Sequence, residues 1–305
     1  MSLIIDSAQY KSGEIINTYD GFEPRISARI KLNNSNALKI AYTYTKQYLH
    51  LLSNSTVGLP TDTWIPPDNH IKPQSANHFI LGYYHTFKKK NLELSIEGYY
   101  KSLHNIIDYI DNADLFINKN IETQILHGQG ESYGLEFLLE KKIGRFIGWG
   151  SYTLAKTQYQ IIGINKNQYY SPRHDIRHNI TFTGNFKLSK AWMLSSTFVF
   201  ASGGFITIPD QVFSIDGAAF FDYSSRNNYE LPPNHRLDLS VIYNSRKNET
   251  RRFKSKWILS IYNIYNHKNI YTLYVRQTSI DFTSASSYKM YLFGIVPTIS
   301  YNFSF

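Results

Sequence analysis

The chain contains no cysteine. That excludes a disulfide framework and any thiolate metal site. It also lacks an unbroken apolar run near the ~18 residues of a transmembrane helix, and its mean hydropathy is only −0.34. Charged residues are scarce, at 18% where soluble domains carry about 25%. Proline occurs ten times in 305 residues, and helical periodicity does not persist over a full window of about 11 residues. The one Gly-x-Ser-x-Gly pattern, Gly130-Glu131-Ser132-Tyr133-Gly134, lies inside an alternating run and not at a strand-to-helix turn, and no glycine-rich loop leads into Lys-Ser/Thr, so the hydrolase and nucleotide-binding signatures lack their structural context. The opening Met1 to Asp6 has no basic segment followed by an apolar core, so no export signal is legible.

What the chain has in excess is aromatic side chains, 16% of the total, with 25 Tyr and 19 Phe. Aromatic richness with modest hydropathy is what an alternating membrane barrel wall produces, because every second residue faces a polar lumen. The net charge of +9 does not point to nucleic acid. Much of the Lys and Arg lies in short connections such as 88–90 and 246–256, outside any RNA-binding pattern.

Eleven runs alternate with period two: 23–33, 36–47, 74–88, 91–107, 123–141, 145–160, 174–188, 190–203, 234–246, 254–265 and 287–305. In the second, Leu38, Ile40, Tyr42 and Tyr44 oppose Lys39, Ala41, Thr43 and Thr45. In the last, Tyr291, Phe293, Ile295, Pro297, Ile299, Tyr301, Phe303 and Phe305 share one face. Short connections alternate with long ones at 48–73, 108–122, 161–173, 204–233 and 266–286. Loops of that length are uncommon in compact domains. Short turns on one side and long loops on the other mark bacterial outer-membrane barrels, with the short turns facing the periplasm. The expected fold is all-β, a transmembrane antiparallel barrel. Eleven strands starting at the outer face cannot close alone, so about half of a barrel of about 22 strands is expected to lie upstream. Residues 1–22 then read as an extracellular loop remnant and 23–305 as the C-terminal half of the barrel.

Four stretches carry a resemblance to a family. They are Ser171-Pro172-Arg173-His174-Asp175-Ile176-Arg177-His178-Asn179, Gly128-Gln129-Gly130-Glu131-Ser132-Tyr133-Gly134-Leu135-Glu136, Tyr262-Asn263-Ile264-Tyr265-Asn266, and the terminal Tyr301-Asn302-Phe303-Ser304-Phe305. In this order the chain resembles the C-terminal portion of TonB-dependent outer-membrane receptors of the Bacteroidetes type. The resemblance implies import of a scarce nutrient such as a siderophore, cobalamin or an oligosaccharide across the bacterial outer membrane. It implies a plug, not seen in this sequence, through which the TonB complex acts, and no enzymatic activity or cofactor. Tyr301, Phe303 and Phe305 would form the signal read by the barrel-assembly machinery.

For individual residues, the segment around His174 and His178 suggests a metal site, but on a strand the two imidazoles would stand roughly 13 Å apart. Arg173, His174, Asp175 and Arg177 instead read as a charge network at the lumen rim. Trp64, Tyr109, Tyr169 and Tyr223 in the long loops are candidates for stacking on a small molecule or sugar. Arg226 and Arg276 are candidates for gripping an anion bidentately. Trp149, Trp192 and Trp257 read as an interfacial girdle that meets outer-membrane lipid. Two other architectures fit less well. A complete barrel of about twelve strands would act as a lipase or passive pore, and a secreted β-sandwich adhesin would bury its apolar positions between sheets.

Overall fold

The computed structural model describes residues 10–52, 63–111, 113, 118, 121–215, 218–245, 252–277 and 285–305. Its strands are β1 (Arg25–Lys31), β2 (Asn36–Gln47), β3 (His50–Leu52), β4 (Thr63–Ile65), β5 (Gln74–Phe87), β6 (Leu92–Tyr109) and β7 (Ile125–Lys141). They continue as β8 (Phe146–Ile161), β9 (His178–Lys187), β10 (Trp192–Ala201), β11 (Phe205–Ile206), β12 (Gln211–Ile215) and β13 (Ala218–Asp222). The last six are β14 (Tyr229–Glu230), β15 (Asn234–Asn244), β16 (Lys254–Tyr262), β17 (Ile270–Gln277), β18 (Ala285–Tyr291) and β19 (Val296–Ser304).

Eleven of these form one antiparallel sheet in the order β1-β2-β5-β6-β7-β8-β9-β10-β15-β16-β19. The small pairs β3–β4, β11–β14, β12–β13 and β17–β18 are inserted in the connections at one end. The eleven expected runs are therefore the eleven long strands, with two corrections. The run expected over 287–305 is two elements: β18 pairs with β17 in a loop hairpin, and β19 begins only at Val296. The run expected from residue 174 starts at His178, because Arg173 and His174 form a turn closed by Asp175 N donating to Pro172 O at 3.0 Å.

Register shows why the alternation is there. The row Phe146–Phe186–Leu194–Val241–Leu259–Ile299 crosses six strands on one face. Ile26–Tyr42–Phe79–Tyr100–Tyr133–Lys156 crosses the others on the same face. Many of these side chains are exposed, Ile299 at 70% and Leu259 at 53%, so this is not a core. A one-residue slip in any strand would turn its apolar set over, and register is fixed accordingly. The opposite face carries rows such as Lys39–Gly82–Glu97–Glu136–Thr153–Asn179 and Ser195–Ser240–Ser260–Thr298. Its polar groups satisfy one another: Lys39 Nζ lies 3.7 Å from Glu97, Ser132 Oγ 2.9 Å from Thr157 Oγ1, and Ser240 Oγ donates to Ser260 at 2.9 Å.

Toward the short-turn end the apolar face carries a row of four aromatics, Trp192–Tyr243–Trp257–Tyr301. Ring centroids are 4.7 Å apart in the first pair and 4.5 Å in the last. Trp192 and Trp257 stand where an interfacial girdle requires them. Trp149 does not, because its register partner is Thr183 on the polar face.

At the other end, buried side chains gather in small clusters under the loops, such as Ile106, Ile161, Ile164 and Tyr170. Residues 10–22 form no strand, and Tyr19 donates to Asp68 O at 2.5 Å in the first long connection. Asn263, wholly buried at φ +51°, ties the tops of three strands together. Its N–H donates to Asp238 Oδ1, its Oδ1 accepts from His267 N, and its Nδ2 donates to His267 O and, at 3.4 Å, to Phe293 O. Gly203 allows a comparable close approach, since a Cβ there would stand 1.5 Å from Leu231 O.

Candidate functional site

At the long-loop end, a cavity of about 740 Å³ opens between the β6–β7, β8–β9 and β10–β15 connections. Tyr109, Lys166, Arg173, Phe221, Tyr223 and Arg226 are among its walls, with Asp111 and Asp222. Tyr109, the last residue of β6, is the wall residue that comes from the large sheet. The loops above it are held by one buried cation.

Arg226 lies in the turn between β13 and β14, with its side chain 8% exposed. Its Nη1 is 2.7 Å from Asp108 Oδ1 and its Nη2 is 2.7 Å from Asp111 Oδ1. The Nη1 also donates to Tyr109 O at 2.6 Å, and the guanidinium stacks 4.5 Å over the Tyr109 ring. Burial works against the charge, but the two carboxylates outweigh it and hold the Arg226 pKa above its ordinary value. The backbone of the same residue is clasped by Asn165, whose Oδ1 accepts from Arg226 N at 2.6 Å while its Nδ2 donates to Arg226 O at 3.0 Å. Asn165 and Asn227 adopt left-handed φ of 48° and 54°, a conformation asparagine tolerates better than most residues.

A second layer joins β6 to the β8–β9 connection. Tyr170 Oη donates to Asp108 Oδ2 at 2.7 Å. Burial, then the Asp108 charge, push the Tyr170 pKa up, so its hydroxyl stays a donor. Arg173 Nη2 donates to Tyr109 Oη at 3.0 Å, while its Nη1 is buried and has no hydrogen-bond partner. An unpartnered guanidinium nitrogen beside a polar cavity is a costly arrangement unless something accepts from it. With Lys166 also in the wall, the cavity offers cationic donors and aromatic faces to a ligand, beside the carboxylates of Asp111 and Asp222.

The cavity brings together Tyr109, Tyr223, Arg226 and Arg173 from the residues expected to matter. Arg226 arrives in a different role: its fork is already occupied by Asp108 and Asp111, so it positions the loop. Trp64, 58% exposed, pairs with Leu51 in the β3–β4 hairpin and is not in the cavity wall, nor is the exposed Tyr169. The side chain of Arg276 lies outside the described residues.

Arg173, His174, Asp175 and Arg177 are adjacent, but among the described residues no ion pair joins them. Asp175 and His174 reach β8 instead, Arg173 reaches Tyr109 at the end of β6, and the Arg177 side chain lines a concavity of the apolar face, away from the expected lumen rim. Asp175, 2% exposed, accepts from Thr157 N at 2.7 Å; His174 Nε2 is 3.4 Å from Tyr159 Oη; Arg177 O accepts from Ala155 N. Because these residues form a turn, the strand spacing assumed for His174 and His178 does not apply. No cluster of three or more metal-ligating side chains occurs among the described residues. Sequence reasoning missed Asp108, Asp111, Asn165 and Lys166. The signal available was a pair of carboxylates flanking Tyr109 where a long alternating run ends.

A family model described as TonB dependent receptor-like, beta-barrel, matches residues 5–266. No curated protein is similar enough in sequence to match. Among solved structures, the siderophore receptor PiuA from Acinetobacter baumannii superposes with a TM-score of 0.60 at 15% identity over 92% of this chain and 35% of its own. The ferric-catecholate import receptor Fiu from E. coli K12 gives 0.56 at 12% identity over 92% and 34%. The ferripyoverdine receptor of the outer membrane of Pseudomonas aeruginosa, bound to ferripyoverdine, gives 0.57 at 10% identity over 92% and 32%. The chain thus spans about a third of the length of the solved structures it matches.

Proposed function

The chain belongs to the TonB-dependent receptor β-barrel family, and from that premise we propose that it forms one wall of a bacterial outer-membrane importer that captures a scarce nutrient at its outer loops. The observation that carries this reading is the loop-end cavity, built on an eleven-stranded sheet with one apolar and one polar face. It has the size range of a small-molecule site. The partnerless Nη1 of Arg173, the exposed Lys166 and the aromatic faces in its wall favour an anionic chelate over a neutral sugar. The solved receptors it is similar to are named for ferric siderophores, which supports a ferric chelate as the first class to test.

The sheet topology also limits how such a wall can close. With eleven strands, β1 and β19 run in the same direction, so they cannot pair antiparallel with each other. Both edges are exposed along their length, and lipid cannot satisfy unpaired backbone groups. Closure by antiparallel pairing requires an odd number of further strands, and an upstream portion of the same polypeptide is the proposed source. Energised release would then depend on a plug and the TonB complex, and insertion on recognition of Tyr301, Phe303 and Phe305 by the barrel-assembly machinery.

The test is uptake of labelled ferric catecholate, hydroxamate and citrate chelates by cells expressing the intact receptor under iron limitation, compared with Tyr109→Ala and Arg173→Ala. Uptake of one class, lost in both variants while the protein stays in the outer membrane, supports the proposal. Uptake of every class unchanged by both variants contradicts it.

A further inference from the structure

A second concavity lies on the apolar face and shares no lining residue with the loop cavity. It measures about 970 Å³ and crosses β2, β5, β6, β7 and β8, roughly 19 Å at the usual strand spacing. Its centre is Gly98, in the row Ile40–Leu81–Gly98–Leu135–Leu154. Every other member of that row is a branched aliphatic residue, and the missing side chain at Gly98 leaves a trough between Leu81 and Leu135. Phe79, Tyr100 and Tyr133 form the wall above it.

The end of the trough nearer the long loops is cationic. Lys156 continues the row Phe79–Tyr100–Tyr133 on the apolar face, and Arg177 lines the same concavity. Among the described residues neither is in an ion pair. Glu131, one row further out, is engaged by Tyr100 Oη at 3.1 Å and Gln158 Nε2 at 2.5 Å. Ten residues separate Phe146 at the short-turn end of β8 from Lys156. At the usual rise and barrel tilt this is about 25 Å of height, the thickness of a barrel's apolar band. Lys156 therefore stands at headgroup level on the long-loop side, where an unpaired ammonium beside apolar side chains favours a lipid phosphate.

We propose that this trough is a fixed binding site for a phosphorylated, multiply acylated glycolipid of the outer leaflet, its chains lying over Gly98 and a phosphate on Lys156 and Arg177. The inference rests on the outer-membrane reading above. A second copy of the chain or an upstream segment is a poorer occupant, because the trough is in the body of the sheet and not along β1 or β19, where backbone groups await partners. A glycolipid with several chains also suits the breadth of five strands better than a two-chain phospholipid does.

The experiment uses the intact receptor in nanodiscs, titrated with hexa-acylated, bis-phosphorylated lipid A and separately with phosphatidylglycerol, with bound lipid counted by native mass spectrometry. Gly98→Leu fills the trough from the lipid side; a Cβ there would meet Leu135 Cδ2 at 3.3 Å and Gly134 O at 4.0 Å. Lys156→Glu reverses the headgroup charge. The expected result is one tightly held lipid A, weakened about tenfold in each variant, the scale of one lost charge-assisted contact, with phosphatidylglycerol binding far more weakly. Equal retention in the wild type and both variants overturns the proposal, as does equal affinity for the two lipids. If Gly98→Leu assembles poorly, Lys156→Glu alone decides. Heat-modifiable migration and chelate uptake separate the two readings: a receptor absent from the outer membrane defeats both, whereas one that transports but retains no lipid A defeats this one alone.

Discussion

The two ends of the sheet are held together differently. Toward the short-turn end, order comes from repetition: each strand adds an apolar residue at every second position, and the aromatic row Trp192–Tyr243–Trp257–Tyr301 is neighbour on neighbour. At the long-loop end, order comes from single side chains that reach across the sequence, such as Arg226 to Asp108. The first kind spreads its stability over many equivalent contacts, so one substitution subtracts a fraction. The second concentrates it, so one substitution can release a loop.

The largest effect that would sharpen this contrast is expected at Arg226. Arg226→Met leaves Asp108 largely buried and unpaired, a defect of about 3–5 kcal/mol when a buried partner is removed. Asp111, which is 72% exposed, adds little to that. Hydrogen exchange should show the segment around 220–230 losing protection while β9 and β10 keep theirs. Equal loss in both regions would erase the distinction between the ends.

Next comes the apolar face. Phe182 sits mid-strand in the row Gly150–Phe182–Phe198–Leu237, and Phe182→Arg should cost about 2–4 kcal/mol in a bilayer. Thr183→Arg, one residue along and on the polar face, should cost less than ~1 kcal/mol, read as the shift in thermal unfolding of the heat-modifiable form. A similar shift for both would mean that the two faces are not lipid and lumen.

How much of this was legible follows the same division. Strand existence and facing were readable because period two repeats in every run, as Leu38, Ile40 and Tyr42 show. Boundaries failed where a strand pattern ran on into something else. Tyr291 and Phe293 alternate with their neighbours as β19 does, but Tyr291 closes the hairpin of β18 onto β17. His174 to Arg177 looked like the start of a strand, yet Asp175 is turned inward to cap Thr157 N. The cavity was half legible. Aromatic and cationic loop residues could be picked out, but whether Arg226 faces a ligand or an aspartate more than a hundred residues away is decided by loop packing that no local pattern encodes.

Two smaller effects probe the clamps. Asn263→Ala removes a left-handed asparagine and its side-chain hydrogen bonds to His267 and Phe293, and should cost roughly 2 kcal/mol; denaturant unfolding that is unchanged would show that the tops of β16 and β19 are held by something else. His50 is 1% exposed. Burial lowers its pKa from 6.5, so the unfolded state takes up the proton first. Stability should therefore be intact above about pH 6.5 and fall as pH drops below it. His50→Gln should flatten that pH dependence; a slope that persists would assign it to another group.

The most direct test of the central claim uses the absence of cysteine. With any cysteine elsewhere in the intact receptor replaced, single cysteines are placed along neighbouring rows at 180 to 183, 197, 198, 259 and 260, and each is challenged with a water-soluble maleimide and a lipid-soluble quencher. The account predicts strict alternation: positions 180, 182, 198 and 259 quenched by lipid and slow with maleimide, positions 181, 183, 197 and 260 the reverse. Uniform reactivity along these strands, or quenching on both faces, would contradict it.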